Sequence, residues 1–246
     1  MDRLLPEPGT TDDDELTRLY DFPPDLGRPW VKVNFISSID GAVTLGGRSG
    51  GLSDPNDKKI FALGRALADV ILVGARTALI ERYRGVRPRE VPADLRAERD
   101  LAPLPPIAVV TRTGSVEPHS PLFTDATVPT IVYTTTSVTE ARRDALADAG
   151  ADVVVAGDDD VDLAAVLADL DRRALRRVCC EGGPQLFGSL IADGLVDEVD
   201  LSVAPVLVAG DAGRIAKGPL PADPARLRLA SVLHADDQLM LRYLRR

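Results

Sequence analysis

Residues 177–205 have the sequence RVCCEGGPQLFGSLIADGLVDEVDLSVAP, and this stretch decides the class of fold. Arg177–Cys180 is a short run of the kind that forms a buried strand, and Glu198–Ala204 has the composition of a second strand. Between them, Pro184 is placed to open a helix that ends at Asp193-Gly194, because proline fits the first helical position and glycine favours the turn that follows. A strand, a helix and another strand in this order favour a parallel sheet.

The same alternation extends upstream of residue 177 and stops downstream of residue 198. We expect further strands at Val31–Ser37, Val70–Val73, Ile107–Val110, Thr130–Tyr133 and Val153–Ala156, and helices after Asp54-Pro55, after a Ser137–Glu140 capping box and over Val161–Arg172. Two more strands, Leu227–Leu233 and Leu239–Leu244, follow with no helix between them. The pattern predicts one α/β domain with a mostly parallel mixed sheet, antiparallel C-terminal strands, and helices on both faces.

Two segments lack the periodic spacing of apolar residues that is typical of helices and strands. Residues 1–27 are polar and rich in proline, and we expect an N-terminal arm there, with a short helix within Asp13–Asp21, ahead of a domain over residues 28–246. Residues 81–105 carry many Arg, Glu and Pro residues, and we expect a long loop.

Composition excludes several classes of function. The chain has 246 residues, 45% of them hydrophobic, and a net charge of −9 without a basic stripe, so nucleic-acid binding is not expected. No apolar run approaches the ~20 residues that span a bilayer, and the N-terminus lacks a signal-peptide pattern, so we expect a cytoplasmic protein. With two histidines, His119 and His234, and the adjacent Cys179 and Cys180, we expect neither a metal site nor a disulfide.

Standard motifs are mostly missing, and one gives an alternative. The dinucleotide-binding G-x-G-x-x-G after the first strand and the P-loop are both absent. Gly47-Arg-Ser49-Gly-Gly51 fits the G-x-S-x-G elbow of serine hydrolases, with His234 as the available base. That elbow needs a strand before it and a helix directly after it, whereas the next helix here starts near Pro55. A flexible glycine loop is the favoured interpretation, and a serine hydrolase using Ser49 stays as an alternative.

Four polar segments lie where strands are expected to end. They are Asn34–Gly41, Val73–Glu81, Val110-Thr111 and Glu181–Pro184. Ligands of open α/β sheets bind outside the carboxyl ends of the strands, so these segments outline a candidate cleft. Two glycines at a helix start allow a ligand close to the backbone, and the free N–H groups there attract an anion such as a diphosphate.

The ordered motifs resemble those of the riboflavin-biosynthesis pyrimidine reductase family. The resemblance covers residues 28–244 and rests on Arg28-Pro-Trp-Val-Lys-Val-Asn34 with Ser38-Ile-Asp40-Gly41, on Val73-Gly74-x-x-Thr77, and on Glu181–Pro184 followed by Leu195-Val-Asp197-Glu198 and Ala204-Pro205. It implies a dihydrofolate reductase-like fold, a homodimer, and NADPH-dependent reduction of the ribosyl group of 5-amino-6-(5-phosphoribosylamino)uracil to a ribityl chain.

The resemblance also implies roles for particular residues. The cofactor-binding positions are Gly74, Thr77, Thr111, Gly182, Gly183, Gln185 and Leu186. The substrate-binding positions are Asn34, Ser37, Ser53, Lys58 and Glu81, and the catalytic ones are Asn34, Glu81 and Glu181. Backbone-rich glycine sites suit the diphosphate, whereas amide, hydroxyl and carboxylate groups suit a pyrimidine edge and sugar hydroxyls.

This chain departs from the family at several positions. The zinc deaminase pattern H-x-E…P-C-x-x-C of bifunctional relatives is absent, so the deaminase step is not expected. Many relatives have lysine where this chain has Asn34, arginine where it has Lys58-Lys59, and aspartate where it has Glu81. Lysine offers phosphate only a point charge, so a dihydrofolate- or pteridine-like substrate stays open as an alternative. A non-catalytic dinucleotide-binding protein is a further alternative.

Overall fold

The computed structural model describes residues 1–221 and 223–246, which form one eleven-stranded sheet with eight α-helices. The strands are β1 Asp2–Leu5, β2 Gly9–Thr10, β3 Trp30–Ser38, β4 Val70–Gly74, β5 Ile107–Val110, β6 Ile131–Thr134, β7 Asp152–Val155, β8 Arg177–Cys180, β9 Glu198–Ala204, β10 Leu227–Ala235 and β11 Gln238–Arg245. The helices are α1 Asp13–Tyr20, α2 Pro55–Leu67, α3 Ala75–Ile80, α4 Ala93–Ala97, α5 Pro121–Thr124, α6 Glu140–Asp148, α7 Leu163–Arg172 and α8 Pro184–Ala192. None of these helices combines the length and apolar character needed to cross a membrane.

The sheet confirms the predicted fold class. Its strand order is β2-β1-β10-β11-β9-β3-β8-β4-β5-β6-β7. All pairs from β9 to β7 are parallel, and all pairs from β2 to β9 are antiparallel. The strands β3, β8, β4 and β5 therefore lie side by side and all end at the same edge, as parallel strands must.

Two apolar layers hold the helices on opposite faces of the sheet. Within β4, Ile71 and Leu72 are both fully buried, and their side chains point to opposite faces because successive strand residues alternate. Leu72 belongs to the layer formed with α7 and α8, which includes Leu190. Ile71 belongs to the layer formed with α2, α3, α5 and α6, which includes Leu146.

Helix starts follow local signals, with one correction. Asp54 caps α2 as expected: its Oδ1 accepts the N–H of Asp57 at 2.8 Å. The helix expected after Ser137 instead has Thr139 as its cap, because the Thr139 hydroxyl accepts the N–H of Arg142, three residues further along. The Ser137 hydroxyl is hydrogen-bonded to Thr135 and takes no part in the cap.

The prediction of a long loop over residues 81–105 is wrong, because this segment contains α4 and a short 3₁₀ turn at Pro88–Glu90. The cause is Arg96, whose side chain is fully buried. Its guanidinium donates to the carbonyl oxygens of Ala66 at 3.0 Å, Ala68 at 2.9 Å and Ala102 at 2.6 Å. The arginine satisfies carbonyls at the end of α2 that have no intrahelical partner, and so fixes the segment against that helix.

The N-terminal segment predicted to be an arm is packed onto the rest of the chain. Its helix lies at Asp13–Tyr20, close to the expected position, and it buries Leu16 and Tyr20. Strand β1 pairs with β10 and extends the antiparallel side of the sheet. In addition, the buried Lys32 ammonium of β3 donates to the carbonyl oxygen of Tyr20.

We expect Tyr20→Ala to lower the free energy of unfolding by about 3–5 kcal/mol, the usual cost of removing a buried aromatic side chain. Tyr20 is 1% exposed, whereas Leu4 in the same segment is 50% exposed and serves as the control. Urea titration should show a change of no more than about 0.5 kcal/mol for Leu4→Ala. A loss below about 1 kcal/mol for Tyr20→Ala would mean that residues 1–27 are a separable arm.

Candidate active site

A cavity of about 1210 Å³ opens where β3, β4, β5 and β8 end. Its walls include Asn34 from β3, Gly74 from β4, Thr111 just after β5, and Glu181 just after β8. The four segments singled out in the sequence therefore meet in one place, as the carboxyl ends of parallel strands require.

Glycines at the ends of β4 and β8 give the cavity its floor. The Gly74 N–H donates to the Gly182 carbonyl oxygen at 2.7 Å, which joins the two strand ends. A side chain at Gly182, where φ is +81°, would collide with the ring of Phe35, and one at Gly183 would collide with the Thr77 hydroxyl. Glycine is favoured at both positions because the Phe35 and Thr77 side chains occupy the space that a Cβ would need, and because Gly182 has a positive φ. Gly182 shapes the cavity without lining it, whereas Gly183 lines it.

The start of α8 presents free backbone donors to the cavity. Gly183 occupies the N-cap position, and no side chain caps the helix. Pro184 has no N–H, so the free N–H groups of the first turn belong to Gln185 and Leu186, and both residues line the cavity. Helix N-termini carry a partial positive charge, so this edge of the cavity suits an anion.

Charged side chains add to this preference, although the chain as a whole carries a net charge of −9. The basic residues in the cavity walls outnumber the acidic ones. They are Lys58, Arg65, Arg76, Arg82, Arg84, Arg112, Arg214 and Lys217, against Asp57, Glu81, Glu90, Asp160 and Glu181. The cavity is thus a local cationic region on an acidic protein, which favours anionic ligands.

Glu181 is hydrogen-bonded to two partners that the sequence did not reveal. Arg65 binds it in bidentate fashion, with Nε 2.6 Å from Oε1 and Nη2 2.7 Å from Oε2, and the Tyr83 hydroxyl also donates to Oε2. The Arg65 guanidinium lies 4.6 Å from the ring centroid of Phe61 and 5.3 Å from that of Tyr83. Glu181 is 6% exposed, so this group of three forms a buried, hydrogen-bonded unit in the cavity wall.

Burial and charge keep the Tyr83 hydroxyl protonated. Its burial raises the pKa of Tyr83 well above the usual value, and the Glu181 carboxylate raises that pKa further. Burial alone would lower the pKa of Arg65, but the Glu181 carboxylate outweighs this and raises it. Tyr83 therefore stays a donor and Arg65 a cation across the accessible pH range.

Glu81 is hydrogen-bonded to the glycine-rich loop of residues 46–51, which borders the cavity. It follows α3, and its Oε1 accepts both the N–H of Ser49 at 3.2 Å and the Ser49 hydroxyl at 3.1 Å. Ser49 starts a short 3₁₀ turn, Ser49–Gly51, with no strand before it and no helix directly after it. His234 lies on β10 and pairs with Asp2 and Leu239. The structure contradicts the hydrolase alternative, because the Ser49 hydroxyl is hydrogen-bonded to the Glu81 carboxylate and not to the His234 imidazole.

The remaining expected site residues divide into two groups. Asn34, Ser53, Lys58 and Thr77 line the cavity together with Glu81. Ser37 does not: its side chain is buried within β3 and lies outside the cavity walls. Of the two adjacent lysines, only Lys58 reaches the cavity, because the Lys59 ammonium is paired with Asp13 of α1.

Asp57 is a cavity residue that the sequence analysis missed. It is 6% exposed, and its carboxylate accepts a hydrogen bond from the Ser53 hydroxyl. Burial raises the pKa of Asp57 above its ordinary value, an effect that hydrogen bonds from Ser53 and Ser202 partly offset. An acidic residue in the first turn of a helix is common, so nothing in the sequence set this one apart.

Comparison with known proteins places this strand-end cavity in a known class of enzymes. Residues 29–241 match the RibD C-terminal domain family. The chain is 31% identical over 223 residues to a 2,5-diamino-6-ribosylamino-4(3H)-pyrimidinone 5′-phosphate reductase of Methanothermobacter thermautotrophicus, covering 88% of this chain and 98% of that protein. A reductase of the same name from Archaeoglobus fulgidus is 31% identical over 186 residues, covering 74% of this chain and 83% of the relative.

A solved structure has the same architecture. The crystal structure of a pyrimidine reductase-like protein from Corynebacterium diphtheriae superposes with a TM-score of 0.79 at 26% identity, covering 89% of this chain and 92% of that one. The fold and the similar proteins define an oxidoreductase of the α/β class. The chain belongs to the RibD C-terminal domain family, which confirms the resemblance to riboflavin-pathway pyrimidine reductases.

We expect Glu181→Gln to destabilise the protein by about 3 kcal/mol, because it leaves the buried Arg65 cation without its counter-charge. Chemical denaturation monitored by circular dichroism measures this. The control is Glu98→Gln, where the side chain is 72% exposed and lies 3.7 Å from Arg99, and the change should stay within about 0.5 kcal/mol. Equal effects of the two substitutions would contradict the tight unit described above.

Proposed function

We propose that this protein uses NADPH to reduce the ribosyl group of a 6-(5-phosphoribosylamino)pyrimidine to a ribityl chain. The observation that carries the proposal is the meeting, in one cavity, of a glycine-bounded helix start with a wall of polar side chains at Asn34, Ser53 and Glu81. The family resemblance of the sequence implies the uracil form of the substrate. The relatives above are named for the 2,5-diamino form, which carries an amino group at C2, so both forms are candidates here.

The residues present fit a dinucleotide diphosphate. The cradle at Gly183 has no room for a side chain, because an added Cβ would collide with the Thr77 hydroxyl. The free N–H groups of Gln185 and Leu186 are donors suited to phosphate oxygens. Thr77 and Thr111 add hydroxyls to the same wall. When bound, the nicotinamide supplies a hydride, and these residues of the chain bind and orient the dinucleotide.

A second, smaller pocket favours NADPH over NADH in this proposal. It adjoins the main cavity at Arg112 and Thr113, which line both, and it also contains Ser137, Thr139 and Arg142. The Arg142 guanidinium is held by the carbonyl oxygens of Gly114 at 2.9 Å and Val116 at 3.0 Å, whereas Arg112 is exposed. An arginine beside a pocket of hydroxyls suits a ribose phosphate, since its planar fork binds two phosphate oxygens at once.

On the substrate side, each residue type matches a part of the pyrimidine nucleotide. The Asn34 amide and the Glu81 carboxylate can hydrogen-bond to a heterocycle or to sugar hydroxyls, and the exposed Lys58 ammonium can attract the substrate phosphate. Ser37 has no part in this proposal, because it lies outside the cavity walls.

Glu181 takes a positioning role instead of the catalytic one first expected. Arg65 and Tyr83 donate three hydrogen bonds to its two oxygens, which hold the carboxylate in one orientation as the counter-charge of Arg65. It follows directly after β8 and precedes the glycine pair, so its ion pair fixes the backbone from which α8 starts. The group of three thereby orients the donors that receive the diphosphate.

We expect Gly183→Asp to weaken NADPH binding by about 100-fold or more, because the new carboxylate collides with Thr77 and repels the diphosphate. The matched control is Gly27→Asp, which adds the same charge where no atom lies within 4 Å of an added Cβ. Titration of NADPH fluorescence gives both dissociation constants, and melting temperatures show that each variant is folded. Unchanged binding in Gly183→Asp would count against the placement of the diphosphate.

We expect the protein to oxidise NADPH when it is given a phosphoribosylamino-pyrimidine, and not when it is given dihydrofolate. Absorbance of the reduced nucleotide measures the rate with each substrate in parallel. The kcat/KM with NADH should be at least about tenfold lower than with NADPH. Arg112→Ala should reduce this difference between the two cofactors. Turnover of dihydrofolate alone would replace the proposal with the folate-like alternative, and no turnover of either pyrimidine would reject it.

A further inference from the structure

A buried carboxylate without a cation lies in the substrate side of the cavity. Asp57 is on the first turn of α2, 6% exposed, and lines the cavity. Its hydrogen bonds come from the hydroxyls of Ser53 and Ser202, and no Lys, Arg or His side chain within the described residues pairs with it. The neighbouring Lys58 side chain is exposed and forms no ion pair with Asp57, although its charge lowers the pKa of that carboxyl.

Such a carboxylate needs further donors. Each carboxylate oxygen can accept more than one hydrogen bond, so the two serine hydroxyls leave acceptor capacity at Asp57. A buried carboxylate that is neither paired nor fully hydrogen-bonded is costly, and burial raises the pKa of Asp57 accordingly. Since Asp57 faces the cavity, the ligand is the group that can supply the missing donors.

The two candidate pyrimidines differ in what they offer a carboxylate. In a 2-amino-4(3H)-pyrimidinone, the amino group at C2 and the N–H at N3 are adjacent donors, spaced to match the two oxygens of one carboxylate. In the uracil, C2 carries a carbonyl oxygen, and each adjacent N–H is therefore paired with an acceptor. A carboxylate facing that edge would meet an oxygen lone pair, which is repulsive and leaves a buried acceptor unsatisfied.

We propose that Asp57 is the specificity-determining residue that recognises the C2 edge of the pyrimidine, and that it selects the 2-amino form over the uracil form. The inference rests on the proposed function and narrows its substrate. We assign this recognition to Asp57 and not to Glu81, the other carboxylate on the substrate side that forms no ion pair among the described residues. The Glu81 side chain is partly exposed, and one of its oxygens already accepts two donors from Ser49.

The test compares kcat/KM for the 2-amino and the uracil substrates in the wild type and in Asp57→Asn. The wild type should prefer the 2-amino form by about 100-fold or more, because a site built for N–H donors rejects an analogue without them. An asparagine side chain presents one acceptor and one donor, which matches the uracil edge. Asp57→Asn should therefore lower the preference to tenfold or less, or invert it.

The control is Asp54→Asn, in the same turn of α2 but outside the cavity walls. Asparagine caps helices as well as aspartate does, so this variant should keep the wild-type preference. A second readout is calorimetry of the two ribityl products with the cofactor-free protein, where the 2-amino product should bind more tightly to the wild type. This readout and the wild-type kinetic preference need no variant, so they decide the inference even if Asp57→Asn fails to fold.

Each outcome is distinct. A wild type that uses both pyrimidines within about threefold overturns the assignment of Asp57 and leaves the reductase function intact. The same holds if Asp57→Asn slows both substrates equally, or if Glu81→Gln shifts the preference and Asp57→Asn does not. If the wild type reduces neither pyrimidine, the proposed function itself fails.

Discussion

The hydrogen bond from the Gly74 N–H to the Gly182 carbonyl oxygen is the contact on which the site depends. It extends the pairing of β4 with β8 beyond the end of β8, next to the bond from the Glu181 N–H to the Leu72 carbonyl oxygen. Because α3 starts one residue after Gly74 and α8 starts two residues after Gly182, the bond fixes where both helices begin. Glycine is favoured at Gly182 and Gly183, since the Phe35 ring and the Thr77 hydroxyl fill the space that their side chains would take.

The cavity balances charge locally within an acidic protein. Basic side chains and the start of α8 provide the attraction for anions, while Arg65 is neutralised by Glu181 and screened by the rings of Phe61 and Tyr83. Asp57 forms no ion pair with a basic side chain among the described residues, and the charge of Lys58 only partly offsets the effect of burial on the pKa of Asp57. The cavity thus offers cationic groups to phosphate and a buried carboxylate to a ligand with N–H donors.

Local sequence signals predicted the framework well. The apolar run of β4, the cap at Asp54 and the proline at the start of α8 act over a few residues, and each gave an element close to its observed position. The segments expected to bind the cofactor lie around one cavity, because the ends of parallel strands meet whatever lies between them.

Contacts between distant residues could not be predicted in the same way. Arg65 and Tyr83 are 116 and 98 residues from Glu181, so their hydrogen bonds to it depend on the packing of α2 and the following segment. From the sequence alone, Arg96 cannot be told from a solvent-exposed arginine, because its burial depends on its contact with the end of α2. Ser37 was misplaced because a strand pattern does not reveal which residues of β3 border the cavity.

The most direct test of the account is a crystal structure of the protein with oxidised NADP bound. The account predicts diphosphate oxygens about 3 Å from the backbone nitrogens of Gln185 and Leu186, with the adenosine phosphate beside Arg112. A diphosphate bound elsewhere, with side chains of the protein occupying the space in front of Gly183, would contradict it.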